Sequence, residues 1–246
     1  MRVLQISKFY PPVPGGIETT VRELTEGLLR HGVATDVLCA NQRLQTTHGP
    51  LEGGGRVSRM ASAGQLLSMS LSPSLVLAAA RRARHYDLLH LHMPDPVSAL
   101  GLWLGRPQAR VVLHWHSDVV RQRRALKLYE PLQRWLLNRA DAVIATSPDY
   151  AAASAPLRPH LAKVHVVPVG IRDTRPLVSP ARVAAVRQRF AGRRLVFALG
   201  RMAWYKGFDL LIHAARHLAP DVQVLIGGAG EYLEAWRALL QRLGLG

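Results

Sequence analysis

The sequence predicts an α/β fold in which a parallel sheet is flanked by helices. Short apolar runs rich in β-branched residues recur along the chain, and amphipathic helical patterns lie between most of them. Strands that are buried on both faces and alternate with helices imply right-handed crossovers, and therefore a Rossmann-like sheet. The predicted strands are residues 3–6, 36–40, 88–91, 110–113, 142–145, 164–167, 195–199 and 222–226.

Helix boundaries are marked by capping residues. Ser and Asp side chains accept hydrogen bonds from the first free amides of a helix, and proline is favoured at the first helical position. Such pairs occur at Asp95-Pro96, Ser147-Pro148 and Ser179-Pro180, and Gly32 suits a helix end. The predicted helices are residues 17–30, 72–84, 96–104, 125–138, 208–218 and 231–243. Residues 48–70, rich in Gly and Ser, predict either a long loop or a weak strand.

These elements divide into a large part and a small part. A stretch that begins at Asp173 contains proline and lacks a periodic apolar pattern, which is typical of a linker. We therefore predict a Rossmann-like domain over residues 1–172, a linker and first helix over 173–190, and a second Rossmann-like domain over 191–246. Only two predicted strands follow the linker, too few for a doubly wound sheet, so the second domain is expected to be incomplete.

The composition is that of a globular protein with a strong excess of positive charge. The net charge of +16 favours polyanionic partners, namely nucleic acid, anionic lipid headgroups or phosphorylated small molecules, although an arginine-rich genome would give the same composition. No nucleic-acid recognition module is recognisable, which makes nucleic acid an unfavoured partner; such binding would centre on Arg121, Arg123, Arg124 and Lys127.

The expected location is the cytoplasm. No apolar run reaches the roughly 18 to 20 residues of a membrane-spanning helix, and the chain opens with a strand pattern and not with a secretory signal. The single cysteine, Cys39, excludes an internal disulfide and a cysteine-based zinc site, which agrees with a reducing compartment. A basic surface could also bind the inner face of an anionic membrane.

A candidate phosphate site lies between the strand at 195–199 and the helix at 208–218. Gly200-Arg201 ends the strand, and Lys206-Gly207 precedes the helix. Two cations and flexible backbone thus lie at a helix N-terminus, where the helix dipole favours anions. The alternative is a solvated loop in which the cations only improve solubility.

A second candidate loop follows the first strand. Prolines stiffen residues 8–16, and Gly15-Gly16 lets a ligand approach the amides that start the next helix. The loop matches neither the dinucleotide-binding Gly-x-Gly-x-x-Gly pattern nor a P-loop, so dinucleotide binding and ordinary ATPase chemistry are disfavoured. A tight turn that holds no ligand is the alternative.

Two His-x-His pairs end neighbouring predicted strands. Residues two apart in a strand share a face, so His90 and His92 should point one way, and so should His114 and His116. Three interpretations compete: a metal site completed by Asp95 or Asp118, substrate contact by His116 above all, and a structural role at buried strand ends. Hydrolase chemistry is disfavoured because the chain has no Gly-x-Ser-x-Gly sequence.

Taken in order, these stretches resemble the retaining glycosyltransferases of family 4, which consist of two Rossmann-like domains in the GT-B architecture. The resemblance spans nearly the whole chain, and the ordered set of motifs is more specific than any one of them. The matching stretches are the loop ending in Gly15-Gly16, Arg30-His31-Gly32, residues 88–92, 111–118, 140–147 and 166–171, and the Gly200 to Gly207 motif with Gly227-Gly228-Ala229-Gly230.

The resemblance implies a nucleotide-diphosphate sugar donor bound largely by the second domain, with a lipid-linked or saccharide acceptor on the first. It implies that His116 orients the transferred sugar, and that His92, His114 and Asp118 line the acceptor side. The donor pyrophosphate would lie against Gly15, Gly16, Arg201, Lys206 and Gly207. Cations and helix dipoles would stabilise the leaving group, so neither a metal nor another cofactor is expected.

The chain departs from the family pattern in three ways. Val169 stands where the family usually has Asn, the family's Glu-x7-Glu segment has no counterpart within the 246 residues, and the donor half lacks most of its sheet. The resemblance therefore predicts that this polypeptide alone turns over little or no sugar donor. Two other functions stay open: a non-catalytic module that binds nucleotide sugars or sugar phosphates, and nucleic-acid binding.

Overall fold

The computed structural model describes residues 1–66, 69–119, 123–171 and 173–245. The chain forms two compact units, unit 1 over Met1–Ile171 and unit 2 over Arg172–Gly246. The α/β class and the parallel sheet expected from the sequence are confirmed.

Unit 1 is built on one large sheet. Among the described residues its eight strands lie in the order β10-β9-β8-β7-β1-β2-β4-β3, and every neighbouring pair is parallel except β3 and β4. Strands β5 and β6 pair antiparallel in a separate two-stranded sheet. The strands are β1 (Arg2–Ser7), β2 (Ala34–Ala40), β3 (Thr47–Pro50), β4 (Arg56–Met60), β5 (Gln65–Leu66), β6 (Met69–Ser70), β7 (Leu88–Met93), β8 (Arg110–Trp115), β9 (Ala142–Ala145) and β10 (Val164–Val166).

In the part of unit 1 that the structure describes, five α-helices connect these strands, and the three that begin at Pro73, Pro96 and Pro148 follow the capping chemistry of the sequence. The Asp95 carboxylate accepts from the amide of Val97 at 3.2 Å, and the Ser147 hydroxyl accepts from the amide of Tyr150 at 3.2 Å. Gly32 has φ +74° just after the first helix, as its predicted role as a helix end requires. The helices are α1 (Gly16–Arg30), α2 (Pro73–Arg82), α3 (Pro96–Gly105), α4 (Arg123–Arg139) and α5 (Pro148–Ala153).

The segment that the sequence left open between a loop and a weak strand contains regular structure. Strand β4 adds in parallel to β2, and β3 pairs antiparallel with β4 at the edge of the sheet. Glycine and proline in β3 hide its strand character, since proline is tolerated in an edge strand but rare in a central one.

The core of unit 1 lies on the two faces of the sheet. Leu4, Ile6, Leu89, Leu91 and Leu113 are almost fully buried, as expected for parallel strands covered by helices on both sides. Polar side chains are also buried at the carboxyl ends of the central strands, where they form the candidate site.

Unit 2 contains helices on a two-stranded parallel sheet. A small core of Met202, Phe208, Ile212 and Trp236 lies under this sheet. Strand β11 is poorly covered, since Phe197 is 65% and Leu199 is 73% exposed. The elements are α6 (Pro180–Arg189), β11 (Arg194–Leu199), α7 (Phe208–Ala215), β12 (Val222–Gly227) and α8 (Leu233–Arg242).

Within the described residues, none of the helices combines the length and the apolar character needed to cross a membrane.

Candidate active site

The topology of unit 1 places a crevice next to β1. The chain leaves β1 toward β2 on one side, whereas β7, β8, β9 and β10 lie on the other side. Ligands of open α/β sheets bind beyond the carboxyl ends of the strands at such a reversal of strand order. The side chains at the ends of β1, β7 and β8 are therefore the first place to look for chemistry.

Four imidazoles stack together at this edge of the sheet. His92 on β7 and His114 on β8 are partners in the parallel register. The ring centroids of His90 and His92 lie 4.8 Å apart, and those of His114 and His116 lie 4.3 Å apart with planes only 4° from parallel. The two His-x-His pairs thus share one face, as strand alternation predicts.

A chain of hydrogen bonds connects Gln5 on β1 to His116. The Nε2 of His92 lies 2.9 Å from Gln5 Oε1, and the Nδ1 of His92 lies 2.9 Å from Nε2 of His116. Because an amide oxygen only accepts, His92 donates from Nε2 and its Nδ1 must accept the proton on Nε2 of His116. Within the described part of the chain, this relay leaves the lone pair on Nδ1 of His116 free to accept a hydrogen bond.

Burial keeps these imidazoles neutral. It lowers the pKa of His90 to about 3, of His114 to about 4 and of His116 to about 3, and it also lowers the pKa of His92. Neighbouring imidazoles lower the pKa of His90, His92 and His116 further. Neutral rings can accept as well as donate hydrogen bonds, which suits recognition of hydroxyl groups.

The same rings also bring three imidazole nitrogens close enough together to share a metal ion. Nitrogens of His92, His114 and His116 lie within 4.8 Å of one another. A zinc ion would lie about 2.0–2.1 Å from each nitrogen, in the plane of each ring. His92 uses both of its nitrogens in hydrogen bonds, one with Gln5 and one with His116. Metal binding would therefore require His92 to give up one of these hydrogen bonds.

The Gly15-Gly16 turn lies at the same edge, where it follows β1 and opens α1. A Cβ added to Gly16 would meet no atom within 4 Å, so the backbone here is open to an approaching ligand. A Cβ on Gly15 would lie 1.9 Å from Oε2 of Glu18, whose buried carboxylate covers the turn. Carboxylates are stabilised at this end of a helix, and phosphates are stabilised there in the same way.

Asp118 does not join the histidine cluster, with which the sequence had grouped it. Its Oδ1 accepts from Nε1 of Trp115 at 2.8 Å, from the Tyr150 hydroxyl at 3.1 Å and from the Ser154 hydroxyl at 2.8 Å. The carboxylate thereby ties β8 to α5, and it adjoins a cavity of about 710 Å³ along α4. Asp95, the other carboxylate considered for a metal, caps α3.

In unit 2, the loops after β11 and β12 lie against each other. The amide of Met202 donates to the carbonyl of Ala229 at 2.9 Å. A Cβ on Gly228 would lie only 1.9 Å from the carbonyl oxygen of Gly200. The glycines of the Gly227-Gly228-Ala229-Gly230 motif therefore allow two backbones to meet at the carboxyl ends of the strands.

This contact positions the predicted phosphate-binding cations. Arg201 is 67% exposed at its side chain and pairs with Glu231 at 3.1 Å. Lys206 lies with its Nζ over the ring of Tyr205, and its aliphatic part passes close to Gly200. Gly207, with φ +64°, is the residue before α7, so Lys206 lies at the start of that helix.

The sequence missed some residues of these sites. Gln5 accepts the hydrogen bond that starts the relay, and the sequence feature that could have indicated it is a polar residue inside an apolar strand. No feature of the sequence indicated that Glu231 would pair with Arg201. His116, Gly15 and Gly16 lie in unit 1, whereas Arg201, Lys206 and Gly207 lie in unit 2. The basic cluster considered for nucleic acid includes Arg121, which falls outside the described residues.

Comparison with characterised proteins identifies relatives along the whole chain. The chain is 34% identical to O-antigen chain mannosyltransferase C of Escherichia coli over 98% of its length, and 32% identical to the D-rhamnosyltransferase WbpZ of Pseudomonas aeruginosa over 100%. It spans 65% and 64% of the length of these two relatives.

Solved structures show the same fold at lower identity. Sucrose-phosphate synthase from Thermosynechococcus elongatus matches with a TM-score of 0.76 and 21% identity, over 100% of this chain and 68% of that one. Anabaena HepE in complex with UDP-glucose matches with a TM-score of 0.72 and 21% identity, over 100% of this chain and 66% of that one. The sequence model of Glycosyltransferase Family 4 matches residues 14–175, well over half of the chain. The chain therefore belongs to glycosyltransferase family 4.

Proposed function

We propose that this chain transfers a sugar from a nucleotide-diphosphate sugar to an acceptor in the synthesis of a polysaccharide, glycolipid or glycoside. The observation that carries the proposal is the Gln5–His92–His116 relay, which presents a neutral imidazole with a free Nδ1 at the ligand-binding edge of a family 4 fold. In this role His116 accepts a hydrogen bond from a hydroxyl of the transferred sugar and orients it.

The reaction exchanges one bond at the anomeric carbon for another. The bond from that carbon to the β-phosphate oxygen breaks, a bond to the acceptor oxygen forms, and the acceptor proton leaves with the nucleoside diphosphate. Negative charge grows on the departing diphosphate, and Arg201 and Lys206 are the cations proposed to stabilise it. The exposed ion pair of Arg201 with Glu231 contributes little stability, so a phosphate can replace it at small cost.

The proposed chemistry uses no metal ion. The start of α7, Lys206 beside it and Arg201 after β11 supply positive charge in unit 2, and the start of α1 at Gly16 supplies backbone donors in unit 1. Retention of anomeric configuration is proposed because it is the outcome that the family resemblance implies.

We propose a transferred sugar of the manno configuration. The two relatives with the greatest identity quoted above are named as a mannosyltransferase and a D-rhamnosyltransferase, and D-rhamnose is 6-deoxy-D-mannose.

Further structure is proposed to complete unit 2. Its two-stranded sheet leaves Phe197 and Leu199 largely exposed, and apolar strands of parallel sheets are normally covered on both faces. On this proposal the 246-residue chain binds donor but turns it over slowly or not at all.

Peripheral binding to anionic membrane is proposed on the basis of the +16 net charge, since lipid-linked acceptors lie at that surface. Co-sedimentation with anionic liposomes should then weaken as salt rises. Binding that is absent at low salt would contradict it.

The function is tested with a panel of UDP- and GDP-linked hexoses. Saturable binding should be strongest for one sugar of the manno configuration, and His116→Ala should reduce the preference for that sugar over free nucleoside diphosphate. No saturable binding of any nucleotide sugar would refute the proposed function. Fast sugar transfer by this chain would refute only the proposal that unit 2 needs further structure. Donor binding without transfer after unit 2 is completed would favour a non-catalytic binding module.

A further inference from the structure

A second pocket lies at the amino end of the sheet in unit 1, at the opposite edge from the histidine cluster. It has a volume of about 520 Å³ and is lined by the first residues of β1, β2 and β4 and by the end of α2. We call it the amino-edge pocket. Nothing in the proposed transfer reaction uses it.

Positive side chains from separate elements converge on this pocket. Arg2 comes from β1, Arg56 from β4 and Arg82 from the last turn of α2, while His48 of β3 and His85 add imidazoles. Asp36 is the one carboxylate among the described residues that line it. With neutral imidazoles the lining therefore carries three positive charges against one negative charge.

Asp36 is already satisfied by other donors. Its Oδ1 accepts from the backbone amide of Arg56 at 2.7 Å, and its Oδ2 accepts from the Tyr86 hydroxyl at 2.8 Å. Arg2 lies 3.7 Å from Oδ2 and stacks over the Tyr86 ring. Among the described residues, neither Arg56 nor Arg82 has a carboxylate within 4.0 Å of its guanidinium.

The pocket is held in shape by buried contacts. Ser58 is 4% exposed, and its hydroxyl lies 2.8 Å from Nη1 of Arg82 and 3.0 Å from Nδ1 of His48. Gly55, with φ +80°, permits the turn before β4 to meet β2, since a Cβ there would lie 2.1 Å from the carbonyl oxygen of Thr35. That close approach places the amide of Arg56 against Asp36.

We propose that the amino-edge pocket binds a phosphate-bearing anion. Guanidinium groups bind phosphate oxygens through paired, charge-assisted hydrogen bonds, and imidazoles add further donors. The three arginines come from three different elements, so a bound phosphate would also tie α2 to the strands at the edge of the sheet. The source is either a soluble phosphate ester or the headgroup of an anionic lipid, which present the same chemistry.

The proposal is tested by NMR titration of the ¹⁵N-labelled chain with inorganic phosphate at constant ionic strength. The amide of Arg56 and the Nε–H of Arg82 should shift and saturate. Arg56→Gln and Arg82→Gln should each weaken binding by about tenfold or more. Arg81→Gln is the matched control, because Arg81 is exposed on the same helix and does not line the pocket, and its affinity should stay within about twofold.

Arg56→Gln is the decisive variant, since the Arg56 side chain makes no hydrogen bond or ion pair with any other described residue and its loss should leave folding unchanged. Chemical shifts that do not saturate with phosphate would overturn the proposal. Phosphate binding that weakens as much in Arg81→Gln as in Arg56→Gln would also overturn it. The shifts should persist in Arg201→Ala, which separates this pocket from the proposed donor site.

Glycerol 3-phosphate and vesicles of phosphatidylcholine containing phosphatidic acid distinguish the two sources. Weaker binding of glycerol 3-phosphate by Arg56→Gln supports a soluble ester, and an effect confined to the vesicles supports a lipid headgroup. Equal binding of both probes by the parent chain and by Arg56→Gln would contradict the proposal.

Discussion

His92 and His116 are joined by a 2.9 Å hydrogen bond between Nδ1 of the first and Nε2 of the second. Because Gln5 accepts from the other nitrogen of His92, the protonation of His116 is set by a side chain two strands away. Gln5 is therefore a positioning residue, and His116 is the group proposed to contact the sugar.

Gln5→Met removes the acceptor at nearly constant volume. The buried Nε2–H of His92 would lose its partner, which should cost about 1–3 kcal/mol of unfolding free energy. His92 and His116 should then exchange tautomers, and this is visible in long-range ¹H–¹⁵N spectra of the imidazole rings. Gln5→Glu keeps an acceptor oxygen and should restore the original tautomers; unchanged spectra in Gln5→Met would show that the relay does not operate.

The buried imidazoles should make the protein less stable in mild acid. Their pKa values in the folded chain are lowered, to about 3 for His90 and His116 and about 4 for His114. The unfolded chain takes up these protons near pH 6.5, so it binds more protons than the folded chain below that pH. In urea unfolding, the contribution of these groups to the free energy of unfolding should be constant above about pH 6.5. As the pH falls from about 6.5 to 5, each group should lower the free energy of unfolding by about 1.4 kcal/mol per pH unit.

His114→Leu provides the control for this acid sensitivity. Both ring nitrogens of His114 are buried and have no hydrogen-bond partner among the residues that the structure describes, so replacing the ring with an apolar group should be neutral or stabilising at neutral pH. The slope of the unfolding free energy against pH should fall by the amount that corresponds to about one bound proton. A stability that is flat from pH 7 to 5 in the parent chain would contradict the neutral cluster.

Gly16→Ala should separate binding from folding. The added methyl meets no protein atom within 4 Å, and alanine is favoured over glycine in a helix, so stability should be unchanged or slightly raised. The methyl group would stand where a donor phosphate or sugar approaches the backbone, and donor affinity should fall. Gly27→Ala, in the last turn of the same helix, should leave donor affinity unchanged. Equal affinity in both variants would remove Gly16 from the site.

Gly228→Ala should unfold or distort the loop pair of unit 2. The methyl would lie 1.9 Å from the carbonyl oxygen of Gly200, and the φ of +140° is unfavourable for any side chain. Gly192→Ala is the matched control, because Gly192 also has positive φ but faces open space, and its strain should cost about 1–3 kcal/mol. Hydrogen exchange of unit 2 should be faster in Gly228→Ala than in Gly192→Ala, and equal rates would contradict the close contact.

The sequence predicted the central sheet well, because buried parallel strands carry long apolar runs and the helices between them begin at capping residues. It left β3 unassigned because Gly49 and Pro50 are uncommon in strands. This short edge strand forms through its pairing with β4, which the local sequence pattern does not show. It also singled out the histidines, because a His-x-His pair at a strand end is unusual in an apolar context.

Side-chain partners could not be predicted in the same way. Asp118 was grouped with the histidines by proximity in sequence, but its carboxylate turns to Trp115, Tyr150 and Ser154. The partnership of Gln5 with His92 spans 87 residues and depends on the order of strands in the sheet. Local patterns do not encode either contact.

The most direct test of the proposed donor site is calorimetric titration of UDP and GDP into the parent chain and its Arg201→Ala and Lys206→Ala variants. One nucleotide should bind saturably, and each variant should weaken it by about tenfold or more, as expected for a charge-assisted contact to pyrophosphate. Arg237→Ala, which removes a similarly exposed cation paired with Glu234 on α8, should bind like the parent chain. Equal affinity in all of these proteins, or no saturable binding of either nucleotide, would contradict the account.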